Sequence, residues 1–199
     1  MSYNIVLGGI GGQGLMTVAE VLAEAAHSTG YNVKIMKYKG LAQRGGSIKA
    51  YVRIGEVYSP IVPEGSANVV LSFELSETLN VERFIGEDTI VVVLDYKVPS
   101  ILNILGVERY PEEIKEEFIA KGYYVLPGED DAKKYNIPII SLNSYMLGAF
   151  SIIAEDIIPE ETLREVLFKR LKRLREENMR AYKLGRDRMK KAMIKMKEP

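Results

Sequence analysis

A chain of 199 residues, 47% of them hydrophobic, can bury one sizeable core, the size expected of a single domain. Its 27 Lys plus Arg offset 27 Asp plus Glu, so no global field argues for nucleic acid or an anionic membrane surface, and any electrostatic function must be local. The absence of cysteine excludes disulfides, a cysteine nucleophile, zinc–thiolate sites and any iron–sulfur cluster ligated by this chain itself.

In chain order, Tyr3 to Leu7 reads as a buried strand, and Leu15, Val18, Ala19, Leu22, Ala23 and Ala26 recur at helical spacing until Gly30 stops the pattern. Val33 to Met36 reads as a second strand, completing a Rossmann-like β-loop-α-β unit in which a parallel pair takes a right-handed crossover. KYKGLAQRGGS is too glycine-rich for a regular element. Ile48 to Ile54 then alternates apolar and polar residues, and Gly55-Glu56 predicts a hairpin turn into Val57-Tyr58. Ala67 to Phe73 and Thr89 to Leu94 are continuous apolar runs, expected of central strands covered on both faces, with a short helix at Leu75 to Phe84 between them.

Pro111 to Lys121 is bounded as a helix by its leading proline and by Gly122. A strand YYVLP, a short helix DDAKKY and a strand PIISL are expected next, and Asn143 is placed to cap the helix SYMLGAFSIIAED. Leu163, Val166, Leu167, Leu171 and Leu174 form an amphipathic stripe. Beyond Asn178 the apolar positions thin while Arg186, Arg188, Lys190, Lys191, Lys195 and Lys197 accumulate, which predicts a projecting or frayed basic tail over 178–199 appended to an α/β domain over 1–177. The fold class expected is α/β: a mixed, mostly parallel sheet flanked by helices, with a C-terminal helical extension. MSYNIVL lacks the features of a signal peptide and no apolar run approaches the ~20 residues of a membrane helix, so a cytoplasmic protein with no membrane partner is expected. The Lys, Glu and Ile content, without Cys or Trp, hints at a thermophile.

Gly9, Gly11 and Gly14 satisfy G-x-G-x-x-G between a strand and a helix, a context in which backbone N–H groups and the positive helix end at Gln13-Gly14 can receive a phosphate. A dinucleotide site also needs an acid at the end of the second strand to hold a ribose hydroxyl, and Lys37, Tyr38 and Lys39 stand there instead. That disfavours NAD and leaves Lys37 and Lys39 as phosphate contacts for NADP or coenzyme A. The alternative is that the glycines only permit a sharp turn and close packing.

The second loop, Ala42 to Ser47, puts Gln43 and Arg44 directly before Gly45 and Gly46, and the Arg44 fork suits a carboxylate or phosphate, or an ion pair within the protein. The two loops are expected to be neighbours at the carboxyl edge of the sheet. The scattered acids Glu74, Glu77 and Asp95 follow strand ends and can line the same edge, Glu77 doubling as an ordinary first-turn acid. No catalytic residue is assigned: the lone His27 lies late in the first helix, and no Ser-His-Asp set or metal-ligand cluster stands out.

With both loops in view, the sequence resembles the gamma subunits and domains of 2-oxoacid:ferredoxin oxidoreductases, and within them the beta subunit of the indolepyruvate enzymes. The residues that carry this are GIGGQG (9–14), GLAQRGGS (40–47), VRIG (52–55), SPIVPEGSANVVLSFELSE (59–77) and NSYMLGA (143–149). The resemblance implies a subunit of a complex that oxidatively decarboxylates 2-oxoacids, arylpyruvates in this branch, to acyl-coenzyme A with electrons passed to ferredoxin. It implies that thiamine diphosphate and iron–sulfur clusters belong to a larger partner subunit. It also implies that Gly11 to Gly14 and Gln43 to Gly46 form one surface facing that subunit or the coenzyme A path. Related sequences carry Glu-x-His-Gly where this one has Lys37-Tyr38-Lys39-Gly40. Two other readings remain: a stand-alone NADP- or nucleotide-binding protein, and a purely structural scaffold subunit.

Overall fold

The computed structural model describes residues 2–39, 46–99 and 101–196, with Lys39, Ile101 and Leu102 described in backbone only. Strand β1 (Ser2–Ile10) leads through a four-residue glycine turn into α1 (Leu15–Ser28), followed by β2 (Val33–Lys39) and β3 (Ser47–Gly55). Next come β4 (Val69–Ser72), a 3₁₀ segment (Ser76–Phe84), β5 (Ile90–Leu94), α2 (Ile101–Ile104), α3 (Ile114–Ala120) and β6 (Tyr124–Leu126). The chain closes with α4 (Gly128–Lys134), α5 (Leu142–Ile153), α6 (Glu160–Arg170) and α7 (Arg175–Lys195).

The strands form one mixed sheet in the order β2-β3-β1-β4-β5-β6. β1, β4, β5 and β6 are parallel neighbours, while β3 runs antiparallel to both β1 and β2. The expected β-loop-α-β unit is therefore opened. β2 does run parallel to β1, but the returning hairpin strand β3 is inserted between them. β1 is laddered on both sides, which lets the strand continue through Gly8 and Gly9, well past Leu7.

Alternate residues divide the core. Ile5, Leu7, Val52, Leu71 and Val92 pack against α1, α5, α6 and α7 on one face, and Val6, Tyr51, Val70 and Val93 pack against Val81, Phe84, Ile114 and Phe118 on the other.

Three further expectations are corrected. After Gly55 no second hairpin strand forms. Arg53 instead donates from Nη1 to the carbonyls of Ser59 and Ile61, pinning the crossing segment, and Tyr58 is fully exposed. PIISL is a 3₁₀ turn, Ile139–Ser141, because Pro138 leads directly into α5; Asn143 lies inside the first turn of α5 with Ser141 at the cap position.

Residues 178–196, the described part of the expected basic tail, neither project nor fray. α7 lies along α5, and the pairs Ser144–Asn178, Gly148–Tyr182 and Ser151–Arg186 advance in the same direction on both helices. A Cβ on Gly148 would collide with the Tyr182 carbonyl, and one on Gly185 with that of Tyr145, so the two backbones are in mutual contact. Arg188 locks the pair to α4: its Nε donates to Asp131 Oδ2 at 2.8 Å, and the Tyr145 hydroxyl donates to the same oxygen at 3.0 Å. α7 buries itself through Ala181, Tyr182, Gly185 and Met189, a stripe with no leucine.

Candidate functional site

Because β1, β4 and β5 are parallel, their carboxyl ends meet at one edge, and a cleft of about 320 Å³ opens there. One wall is the glycine turn, Ile10 to Gln13; Phe73, Leu94, Tyr96 and Val98 come from the ends of β4 and β5; the opposite wall is Ile139, Ile140 and Leu142 from the turn before α5. The lining is mainly apolar, and Ile139 and Ile140 are each more than 40% exposed at its mouth.

The glycine turn is held by its own glutamine. Gln13 Oε1 accepts from the Ile10 amide at 2.7 Å and Nε2 donates to the Phe73 carbonyl at 2.8 Å, so one end of the side chain closes the turn on β1 and the other ties it to the residue after β4. Gly9 fits beneath it, where a Cβ would stand 2.8 Å from that Oε1 and 3.1 Å from Phe73. Gly14 takes the cap position of α1 at φ 79°, the left-handed region that favours glycine. Its α-carbon packs on the Asn143 side chain, whose Nδ2 would be 2.5 Å from any added Cβ.

Several donors at this turn remain uncommitted. Among the described residues the amides of Gly12, Gly14, Leu15, Met16 and Thr17 have no acceptor, α1 has no side-chain cap, and its first turn carries no acid. Asn143 is 6% exposed; its Oδ1 accepts the Ser144 hydroxyl at 3.2 Å, and its Nδ2 has no acceptor among the described residues. The sequence presents Asn143 as a helix cap, whereas the fold makes it a neighbour of the glycine turn. The signal was present in NSYMLGA, which the resemblance singled out as a block.

The glycine turn lies beside Gly46 and Ser47, the described end of the second loop, for a reason the strand order explains. Ile10 lies opposite Ser47 in the β1–β3 ladder, and the Gly11 amide donates to the Gly46 carbonyl at 2.9 Å. The second loop is thus the connection of the β2–β3 hairpin. Gln43, Arg44 and Gly45 lie outside the described residues. The Ser47 hydroxyl donates to Glu77 Oε2 at 2.6 Å, and burial pushes the Glu77 carboxyl above its ordinary value of 4.5, with Ser47 opposing.

Glu74 is fully buried behind it as a hub. Its carboxylate accepts from the Ser76 hydroxyl at 2.6 Å, the Glu77 amide at 2.9 Å, the Val98 amide at 3.2 Å and the Tyr110 hydroxyl. Burial and that carboxylate hold the Tyr110 phenol far above its usual range.

Other sequence candidates fall elsewhere. Lys37 is ion-paired with Glu20 on α1 and does not line the cleft. Lys39 pairs with Ile48 through its backbone, and its side chain lies outside the described atoms. Asp95 pairs with Lys115 at 2.6 Å, and His27 is exposed on α1. No group of three His, Cys, Asp or Glu suited to a metal occurs among the described residues, and no helix there is long and apolar enough to cross a membrane.

The family model described as pyruvate ferredoxin/flavodoxin oxidoreductase matches residues 4–188, nearly the whole chain, both glycine loops and the first two thirds of α7 included. The chain belongs to that family. Indolepyruvate oxidoreductase subunit IorB of Thermococcus kodakarensis is similar to this pyruvate ferredoxin/flavodoxin oxidoreductase family member, at 35% identity over 190 residues, 92% of this chain and 94% of the relative. The fold is shared with the gamma subunit of a keto/oxoacid ferredoxin oxidoreductase from Geobacter sulfurreducens, with 20% identity, a TM-score of 0.69 and coverage of 95% and 99% of the two chains. It is shared also with part of 2-oxoglutarate:ferredoxin oxidoreductase from Magnetococcus marinus, solved with 2-oxoglutarate, coenzyme A and succinyl-CoA bound: 24% identity, TM-score 0.71, 96% of this chain and 31% of that one.

Proposed function

We propose that this chain is the smaller, non-thiamine subunit of a 2-oxoacid:ferredoxin oxidoreductase acting on arylpyruvates, and that its glycine edge faces the catalytic subunit along the coenzyme A path. In the overall reaction the bond between the carboxylate and the oxo carbon breaks, carbon dioxide leaves, coenzyme A takes the acyl group as a thioester, and the electron pair passes to ferredoxin. Thiamine diphosphate and iron–sulfur clusters supply the decarboxylation and electron transfer. A chain without cysteine does not fit a cluster, so the clusters would be held by the larger subunit, to which the family resemblance also assigns thiamine diphosphate.

The observation that carries the reading is the cleft, walled by a turn in which the Gly12 and Gly14 amides and the helix end have no acceptor among the described residues while the Gln13 side chain is committed inward. Such a turn receives a phosphate or carboxylate through N–H groups, and the apolar lining beside it accepts the uncharged part of the same ligand or an apolar side chain of the partner. The similarity to subunit IorB supports the arylpyruvate branch, and the Magnetococcus marinus enzyme, with coenzyme A bound, supports the cofactor.

Co-expression with the candidate large subunit is expected to yield a complex that reduces a viologen dye in the presence of indolepyruvate and coenzyme A. Equal activity without this chain overturns the proposal. A second reading, a scaffold whose loops touch only protein, draws on the inward commitment of Gln13. Arg44→Ala separates the two: a raised KM for coenzyme A with assembly intact favours the coenzyme A path, and weakened assembly with an unchanged KM favours the scaffold. The stand-alone NADP reading loses one of its two lysines to Glu20, and titration of the isolated chain with NADPH tests what remains.

A further inference from the structure

The elbow between α6 and α7 is written as a repeat, Lys169-Arg170-Leu171-Lys172-Arg173-Leu174-Arg175. Arg170 is spent on α1, donating to Glu24 at 2.6 Å and Glu20 at 2.8 Å. Lys169, Lys172, Arg173 and Arg175 are exposed, and none has a carboxylate within 4.0 Å among the described residues. An open groove of about 700 Å³ runs beside them. Phe168, Leu171 and Met179 contribute its apolar lining, and Arg164, Lys169, Lys172 and Arg175 meet a single acid, Glu165, around it, with Arg173 exposed next to them.

The shape of the elbow is fixed from within. Leu174 sits in the left-handed region at φ 52°, ψ 41°, a conformation that strains a non-glycine residue, yet its side chain is 43% exposed and gains little burial in return. The buried Asn178 holds it there: Nδ2 donates to the carbonyls of Leu174 at 2.8 Å and Arg173 at 3.2 Å, and Oδ1 accepts the Ser144 hydroxyl at 2.8 Å. The same hydroxyl reaches Asn143, which packs on Gly14, so a buried polar chain connects the elbow to the glycine turn.

We infer that this elbow docks an acidic polypeptide segment, carboxylates paired with Lys169, Lys172, Arg173 and Arg175 and an apolar side chain seated on the half-buried Leu171 and Met179. In a chain of zero formal charge, this crowding of unpaired cations is a local investment whose self-repulsion an anionic partner relieves. Arginine forks match carboxylates, and an apolar lining rewards a side chain that a plain polyanion lacks. The one aromatic ring in the groove, Phe168, is 8% exposed and offers no open face for a stacked base, which favours polypeptide over nucleic acid. The inference stands independently of the oxidoreductase reading.

The full chain is titrated, by fluorescence anisotropy, with a fluorescein-labelled peptide of repeated Glu-Glu-Leu triplets, its Glu-Glu-Ser counterpart, and a single-stranded oligodeoxynucleotide of matched charge. The Glu-Glu-Leu peptide is expected to bind about tenfold more tightly than either alternative, and to weaken about tenfold between about 50 and about 300 mM salt. The exposed double change Lys172→Glu with Arg175→Glu, and separately Met179→Ser, should each lower that affinity about tenfold, while Lys190→Glu with Lys191→Glu at the far end of α7 leaves it unchanged. No binding at low salt, equal affinity for the serine peptide, tighter binding of the oligonucleotide, or indifference to the elbow variants overturns the inference.

Discussion

Two regions of the molecule are built from glycine and use it in opposite ways. At the α5–α7 crossing, Gly148 and Gly185 each face a carbonyl of the other helix, and any side chain there would overlap backbone. At the carboxyl edge of the sheet, Gly12 has nothing within 4 Å of where its Cβ would stand, and its own amide and those of Gly14 to Thr17 have no acceptor among the described residues. The first region is closed and spends its glycines on contact; the second is open and spends them on access. A glycine motif therefore reports on function only through what surrounds the missing side chain, and GIGGQG (9–14) itself is mixed. Gly9 and Gly14 are hemmed in by Phe73 and Asn143, while Gly12 is free.

The closed region breaks most easily. Gly185→Ala or Gly148→Ala must separate two packed helices, and each is expected to cost upward of about 3 kcal/mol in urea unfolding. The double variant should cost much less than the sum, because either change alone already parts the helices. Arg188→Leu leaves the buried Asp131 with only the Tyr145 hydroxyl, at an expected cost of about 2 kcal/mol, tempered because Arg188 is itself partly exposed. A cost as large as that of the glycine variants would mean that the ion pair, not the backbone contact, holds the closed region.

The open region should respond less in stability and more in function. Gln13→Ala orphans the Ile10 amide and the Phe73 carbonyl and is expected to lower stability by about 1–2 kcal/mol. Gln13→Glu keeps the acceptor and should recover about half of that. If the edge serves coenzyme A, both variants in the assembled complex should raise its KM before they disturb assembly.

The smallest effect concerns pH. The Glu77 carboxyl has its folded-state pKa raised by burial, so the folded protein holds the proton more tightly than the unfolded chain does. Its contribution is greatest below the ordinary value of 4.5 and is lost as pH rises through the raised value. Glu77→Gln should flatten that part of the profile, measured as Tm against pH, and a steeper profile would refute the sign.

How much of this was legible follows from what each residue reports. β1, α1, β4 and β5 were legible because continuous apolar runs and helical spacing are local properties. The insertion of β3 between β1 and β2 was not, because strand neighbours are chosen by long-range pairing that a short alternating run does not encode. PIISL has strand composition, yet Pro138 and the start of α5 leave it no room to pair. α7 passed for a tail because it buries Ala181, Gly185 and Met189, a narrow stripe of small and flexible residues that hydropathy weighs lightly. The adjacency of the two loops was legible in outline. Asn143 beside Gly14, and the inward grip of Gln13, were not, because they depend on where a later helix begins.

The dependence of α5 on α7 also sets an order on synthesis. When α5 has left the ribosome, Tyr145 and Gly148 present a flat, backbone-exposing groove that only residues some forty positions later will fill. Until Tyr182 and Gly185 emerge, the newborn chain carries the sheet of an oxidoreductase subunit with one flank unsealed, a state that a chaperone is suited to shield.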